Sequence, residues 1–73
     1  MSENEAKTHV IWLNGEKRSV AASTVAELVR ALGLEKRTIA VERNLEVVPR
    51  SAWSDTPIAD GDRIEIVHMI GGG

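Results

Sequence analysis

Seventy-three residues leave room for one small domain with one core, below the usual domain size of roughly 100 to 200 residues, and exclude a large catalytic cleft. Hydrophobic residues make up 42% of the chain and charged residues 27%, a globular composition, and no apolar run approaches the roughly 20 residues of a membrane span. A net charge of −2 with nine scattered basic residues leaves no electrostatic footprint for nucleic acid, and zero cysteines exclude disulfides, thiolate metal sites and a side-chain persulfide.

The N-terminus, MSENEAKTHV, has two early glutamates and no apolar segment of the signal-peptide kind, which predicts a cytoplasmic protein. Residues 1 to 8 are expected to be a flexible leader, residues 9 to 69 the folded domain, and residues 70 to 73 a flexible glycine tail. His9 to Leu13, Asn14-Gly15 and Glu16 to Ala21 read as a β-hairpin, because Asn-Gly accepts positive φ at both central positions of a type I′ turn. Thr24 and Glu27 fit a capping box at a helix start. Val25, Leu28, Val29 and Leu32 follow at i, i+3, i+4 and i+7, and Gly33 supplies a left-handed terminus, so a helix of about three turns is expected.

Thr38 to Arg43 is a third strand with Ile39 and Val41 on one face. Asn44-Leu45 turns the chain into Glu46 to Val48, where Pro49, lacking an N–H, ends the pairing. Arg50 to Ser54 reads as one helical turn carrying Trp53, and Asp60-Gly61-Asp62 as a tight turn into a last strand, Arg63 to Met69. The order ββαβ(β)β predicts one sheet with a helix on one face, the first and last strands being free to pair in parallel.

Period-two alternation assigns Ile64 and Ile66 to the helix side, and Glu65, Val67 and Met69 to the opposite face. Val67 and Met69 are therefore candidate partner-binding residues, and Ile70 is taken with them as the residue next to a chain end made of Gly71, Gly72 and Gly73. Other polar and aromatic residues have plainer readings. His9 and His68 are isolated surface groups, Trp12 and Trp53 are structural, Asp60 and Asp62 are turn formers and not an acid and base couple, and Asn14-Gly15 is a turn and nothing more.

Residues 41 to 73, VERNLEVVPRSAWSDTPIADGDRIEIVHMIGGG, and residues 14 to 34, NGEKRSVAASTVAELVRALGL, resemble the ThiS family, the small ubiquitin-like sulfur carriers of thiamin biosynthesis. The resemblance implies an α+β fold of the β-grasp type, a mixed sheet of four to five strands with one helix packed across one face. It implies that the Gly73 carboxylate is adenylated by a ThiF-type enzyme and converted to a thiocarboxylate, with Gly71 and Gly72 as its stalk. A sulfur donor protein and a ThiG-type thiazole synthase are the further partners implied. Leu45 departs from the family pattern, in which a turn glycine often follows the asparagine, and the leader is a second departure.

The chemistry of such an ending is consistent with that role. A carboxylate must first acquire a leaving group before sulfur can replace oxygen, and the chain has no phosphate-binding glycine loop, so ATP is expected to be consumed by a partner and no cofactor to be bound here. Met69 to Gly73 can reach about 15 Å, and glycines pass a channel that a Cβ would obstruct. Ordering three glycines costs entropy, which calls for docking affinity elsewhere on the domain. Three terminal glycines taken alone are also compatible with a loose tail. Two other functions remain open at this stage: the small subunit of molybdopterin synthase, and a ubiquitin-like binding or conjugation module. Against the first, His68-Met69-Ile70 stands where that family has a proline-containing approach to its glycines.

Overall fold

The computed structural model describes residues 8–70. The flexible leader and the flexible glycine tail expected from the sequence fall, apart from Thr8 and Ile70, outside the described residues, as do Gly71, Gly72 and Gly73 themselves.

The hairpin forms as its turn chemistry requires. Strand β1 (His9–Leu13) pairs antiparallel with β2 (Glu16–Val20) from Leu13↔Glu16 back to His9↔Val20, and the turn between them holds Asn14 at φ 51° and Gly15 at φ 84°. Thr24 then caps helix α1 (Val25–Ala31), its hydroxyl accepting the Glu27 N–H at 3.2 Å. The Glu27 carboxylate reaches back past the cap to accept the Ser23 N–H at 2.8 Å, a capping box widened by one residue.

The helix spans seven residues, two turns in place of the three expected. It is closed by Gly33 at φ 75°: the Gly33 N–H donates to the Arg30 carbonyl at 2.9 Å and the Leu34 N–H to the Val29 carbonyl at 3.0 Å. That pair of bonds is a Schellman closure, which leaves Leu32 as the cap and not as a helical residue.

Strand β3 (Ile39–Arg43) and the short β4 (Glu46–Val48) form a second hairpin over Asn44 (φ 53°) and Leu45 (φ 73°). A 3₁₀ helix (Arg50–Asp55) follows Pro49 and buries Trp53, whose indole Nε1 donates to the Val48 carbonyl at 2.9 Å. The Arg50 guanidinium lies 4.5 Å over that ring and donates to the Arg37 carbonyl at 3.0 Å, tying the loop after α1 to the 3₁₀ turn. Strand β5 (Arg63–His68) completes one sheet in the order β2-β1-β5-β3-β4. It runs parallel to β1 and antiparallel to β3, and so takes the centre.

The sheet's inner face meets α1. Ile11, Val25, Leu28, Val29, Val41 and Ile64 are fully buried there, each contributing about 1.5 to 3 kcal/mol by leaving water. Ile64 and Ile66 point inward and Glu65, Val67 and Met69 outward, as the alternation predicts. Trp12 stands on the outer face with 43% of its surface exposed, because the adjacent Ile11 and Leu13 take the inward positions of β1.

Candidate functional site

Strand β5 is fastened at its start by side chains that sequence reasoning read as turn formers. The Asp62 carboxylate is buried and accepts four hydrogen bonds: from Arg43 Nε at 2.7 Å and Nη2 at 3.3 Å, from Asn44 Nδ2 at 3.0 Å, and from the Ala59 N–H at 2.8 Å. Burial pushes this carboxyl's pKa up, but the Arg43 bond, the Ala59 N–H, the Asn44 amide and the Arg43 charge outweigh it and hold the group below its ordinary value. Asp60 serves elsewhere, accepting the Val10 N–H at 2.8 Å. The two carboxylates thus have separate structural tasks, and Asp62 is the knot that joins the β3–β4 turn to the foot of β5.

Asn14 is likewise more than a turn residue. Its N–H donates to the Ile64 carbonyl at 2.9 Å, the last backbone rung between β1 and β5, and its side-chain Oδ1 then accepts the Ile66 N–H at 2.8 Å. In a parallel ladder that second bond belongs to the Asn14 carbonyl. Here the chain has turned into the hairpin, and the carboxamide stands in for it.

Beyond these ties β5 leads toward the chain end. The Met69 N–H donates to the Thr38 carbonyl at 2.9 Å, extending the β3–β5 pairing one step past the strand's assigned end at His68. Val67 is 55% exposed, Met69 52% and Ile70 94%. The structure therefore brings all three candidate partner-binding residues to one end of β5, while the expected reactive residue, Gly73, and its stalk, Gly71 and Gly72, lie outside the described residues.

The neighbours of Val67 enlarge the patch. Ala40 stands directly opposite it on β3, and exposed Val47 lies beside Glu42 on β4. Glu42 and Glu65 face each other across the same strand pair, an arrangement of like charges that costs a few tenths of a kcal/mol up to about 1. At the other end of the face, Trp12, Gly15, Arg63 and Glu65 line a shallow hollow of about 230 Å³. The outer face thus carries exposed Val47, Val67 and Met69 together with the opposed carboxylates of Glu42 and Glu65.

A five-stranded mixed sheet with parallel β1 and β5 at its middle and one helix across one face is a β-grasp domain, with α+β architecture. The chain belongs to the ThiS family, whose sequence pattern matches residues 11–73. It is 36% identical over 64 residues to the sulfur carrier protein ThiS of Thermus thermophilus, covering 88% of this chain and 100% of that one. It is 52% identical over 62 residues to a thiazole synthase of Paramagnetospirillum magneticum, covering 84% of this chain but 19% of that protein. The chain thus spans about a fifth of the length of the thiazole synthases it matches, the second being from Magnetococcus marinus. The crystal structure of a thiamine biosynthesis protein (ThiS) from Geobacter metallireducens superposes with a TM-score of 0.74 at 35% identity, covering 88% of this chain and 99% of that one.

Proposed function

We propose that the chain is a sulfur carrier of thiamin biosynthesis, a co-substrate whose Gly73 carboxylate is activated and thiolated by partner proteins. Its membership of the ThiS family supports the carrier role, and its likeness to thiazole synthases favours the thiazole pathway over molybdopterin synthesis or protein conjugation. The observation that carries the reading is the course of β5. This strand is paired on both sides at its foot, held to Thr38 as far as Met69, and followed by a fully solvated Ile70 and three glycines. The paired strand thus fixes the point from which the glycine segment starts.

In the proposed chemistry a Gly73 carboxylate oxygen attacks the α-phosphorus of ATP on a ThiF-type enzyme, and pyrophosphate leaves. Sulfide then attacks the acyl carbon, AMP departs and one proton is lost to give the thiocarboxylate. A ThiG-type thiazole synthase takes the sulfur. The chain itself contributes position: β5 sets the tail's origin, and Val67, Met69 and Ile70 provide the affinity that an ordered glycine tail requires. No helix among the described residues is long and apolar enough to cross a membrane, and the reading places the carrier in the cytoplasm with these partners. Mass spectrometry of the chain after incubation with ATP, sulfide and a ThiF-type enzyme tests it directly, through exchange of one oxygen for sulfur at Gly73.

A further inference from the structure

The hydrogen-bonding parity of β5 exposes a feature that the carrier chemistry alone does not require. Asn44 donates to the Arg63 carbonyl and Met69 donates to the Thr38 carbonyl, so the odd-numbered residues of β5 turn their backbone groups toward β3. The even-numbered residues turn theirs toward β1: the Ile64 carbonyl accepts from Asn14 N–H, and the Ile66 N–H donates to Asn14 Oδ1. The β1–β5 register, however, stops at Leu13↔Ile64. Past the Asn14 carboxamide, the Ile66 carbonyl and the N–H and carbonyl of His68 point to an edge where, among the described residues, no strand runs. A sheet whose central strand outruns its neighbour by four residues presents a half-edge, and such an edge is a template for another extended chain.

From this geometry we infer that the half-edge of β5 at Ile66 and His68 is a strand-addition site for an extended segment of the adenylating enzyme. The inference rests on the carrier reading and deepens it. The tail that follows is three glycines, which offer a partner no side chain, only backbone groups and the Gly73 carboxylate. An enzyme segment that pairs with Ile66 and His68 lies beside the approach to those glycines, so its main-chain bonds dock the domain close to where the tail begins. The same segment alternates its side chains, and those on the outer face meet exposed Val67 and Met69, which calls for apolar residues there. The Asn14 carboxamide sets where the added strand begins, because it occupies the rung at the Ile66 N–H.

Amide hydrogen exchange of the full chain, alone and in complex with a ThiF-type enzyme and ATP, reads this site residue by residue. In the free protein the Met69 amide, bonded to Thr38, exchanges slowly, and the His68 amide exchanges rapidly. In the complex the His68 amide slows at least tenfold. His68→Pro removes only the edge-facing N–H, in a position where proline is tolerated because that side of the strand is open; it should weaken the complex at least tenfold without shifting the unfolding midpoint. Should that variant unfold, the exchange measurement on the unaltered chain still decides. A His68 amide that exchanges as freely in the complex as alone overturns the inference, as does a folded His68→Pro chain that binds normally. Sulfur incorporation at Gly73, measured in the same mixtures after sulfide is added, separates the two levels. Incorporation without His68 protection leaves the carrier reading standing and removes the strand-addition site, whereas no incorporation at all removes both.

Discussion

The side-chain Oδ1 of Asn14 accepts the backbone N–H of Ile66 at 2.8 Å, across 52 residues of sequence, and takes the rung that the backbone of β1 gives up when it turns. One residue thereby closes the hairpin with its left-handed backbone and secures the central strand with its carboxamide.

These two roles can be separated. Asn14→Gly keeps the positive φ but removes the acceptor, and should cost about 1 to 2 kcal/mol because a partly buried N–H loses its partner. Asn14→Asp keeps an acceptor oxygen and should recover most of that loss. Urea unfolding of both variants checks the ordering, and an Asn14→Gly protein as stable as the parent would show that the Ile66 bond contributes nothing.

Leu45 gives a test in the opposite direction. It is 86% exposed and sits at φ 73°, in the left-handed region that costs an ordinary residue about 1 to 2 kcal/mol, and it gains little burial in return. Leu45→Gly relieves that strain but admits more freedom in the unfolded chain, leaving a net stabilisation of about 0.5 kcal/mol. The urea midpoint should therefore rise. A fall would mean that the Leu45 side chain contributes through contacts in the folded state.

What the sequence disclosed, and what it withheld, follows from the range of the interactions. The Asn14-Gly15 turn, the Thr24 cap and the Val25, Leu28, Val29 stripe are local patterns, and all three stand in the structure. The inward side of β5 was legible because its isoleucines alternate with polar or exposed residues. In β1 the run Val10-Ile11-Trp12-Leu13 is apolar on both faces, so alternation could not decide that Trp12 faces outward. Asn14 with Ile66 and Asp62 with Arg43 meet only when β3 and β1 flank β5, and turn propensity fully explained both polar residues beforehand. An aspartate placed at the very foot of a predicted central strand, with an arginine ending its antiparallel neighbour, was the available signal.

The Asp62 knot sets an acid limit on stability. Because its folded pKa lies below the ordinary value, its contribution is fully present above about pH 4, the unfolded carboxylate's range, and is lost as pH falls through the folded pKa. Stability measured by urea titration should therefore drop below about pH 4. Asp62→Asn should flatten that drop while costing about 2 to 4 kcal/mol at neutral pH, since Arg43 is left without its buried partner. An unchanged acid limb in the variant would assign the pH dependence to other carboxylates.

Val67 tests the outer face. Val67→Asp should leave the circular dichroism spectrum and the melting temperature close to those of the parent, because the side chain is exposed. Binding to a ThiF-type enzyme should weaken at least tenfold as a charge enters an apolar contact. A folded variant with unimpaired binding would move the docking surface away from this patch.

The most direct measurement is the intact mass of the chain after incubation with ATP, sulfide and a ThiF-type enzyme, followed by fragmentation. The carrier reading predicts replacement of one oxygen by one sulfur, located at Gly73 and nowhere else. It also predicts that a chain extended by one residue after Gly73 folds but is not modified, since the added residue displaces the reacting carbon by over about 3 Å. Equal modification of the extended chain, or sulfur found at any other atom, would contradict it.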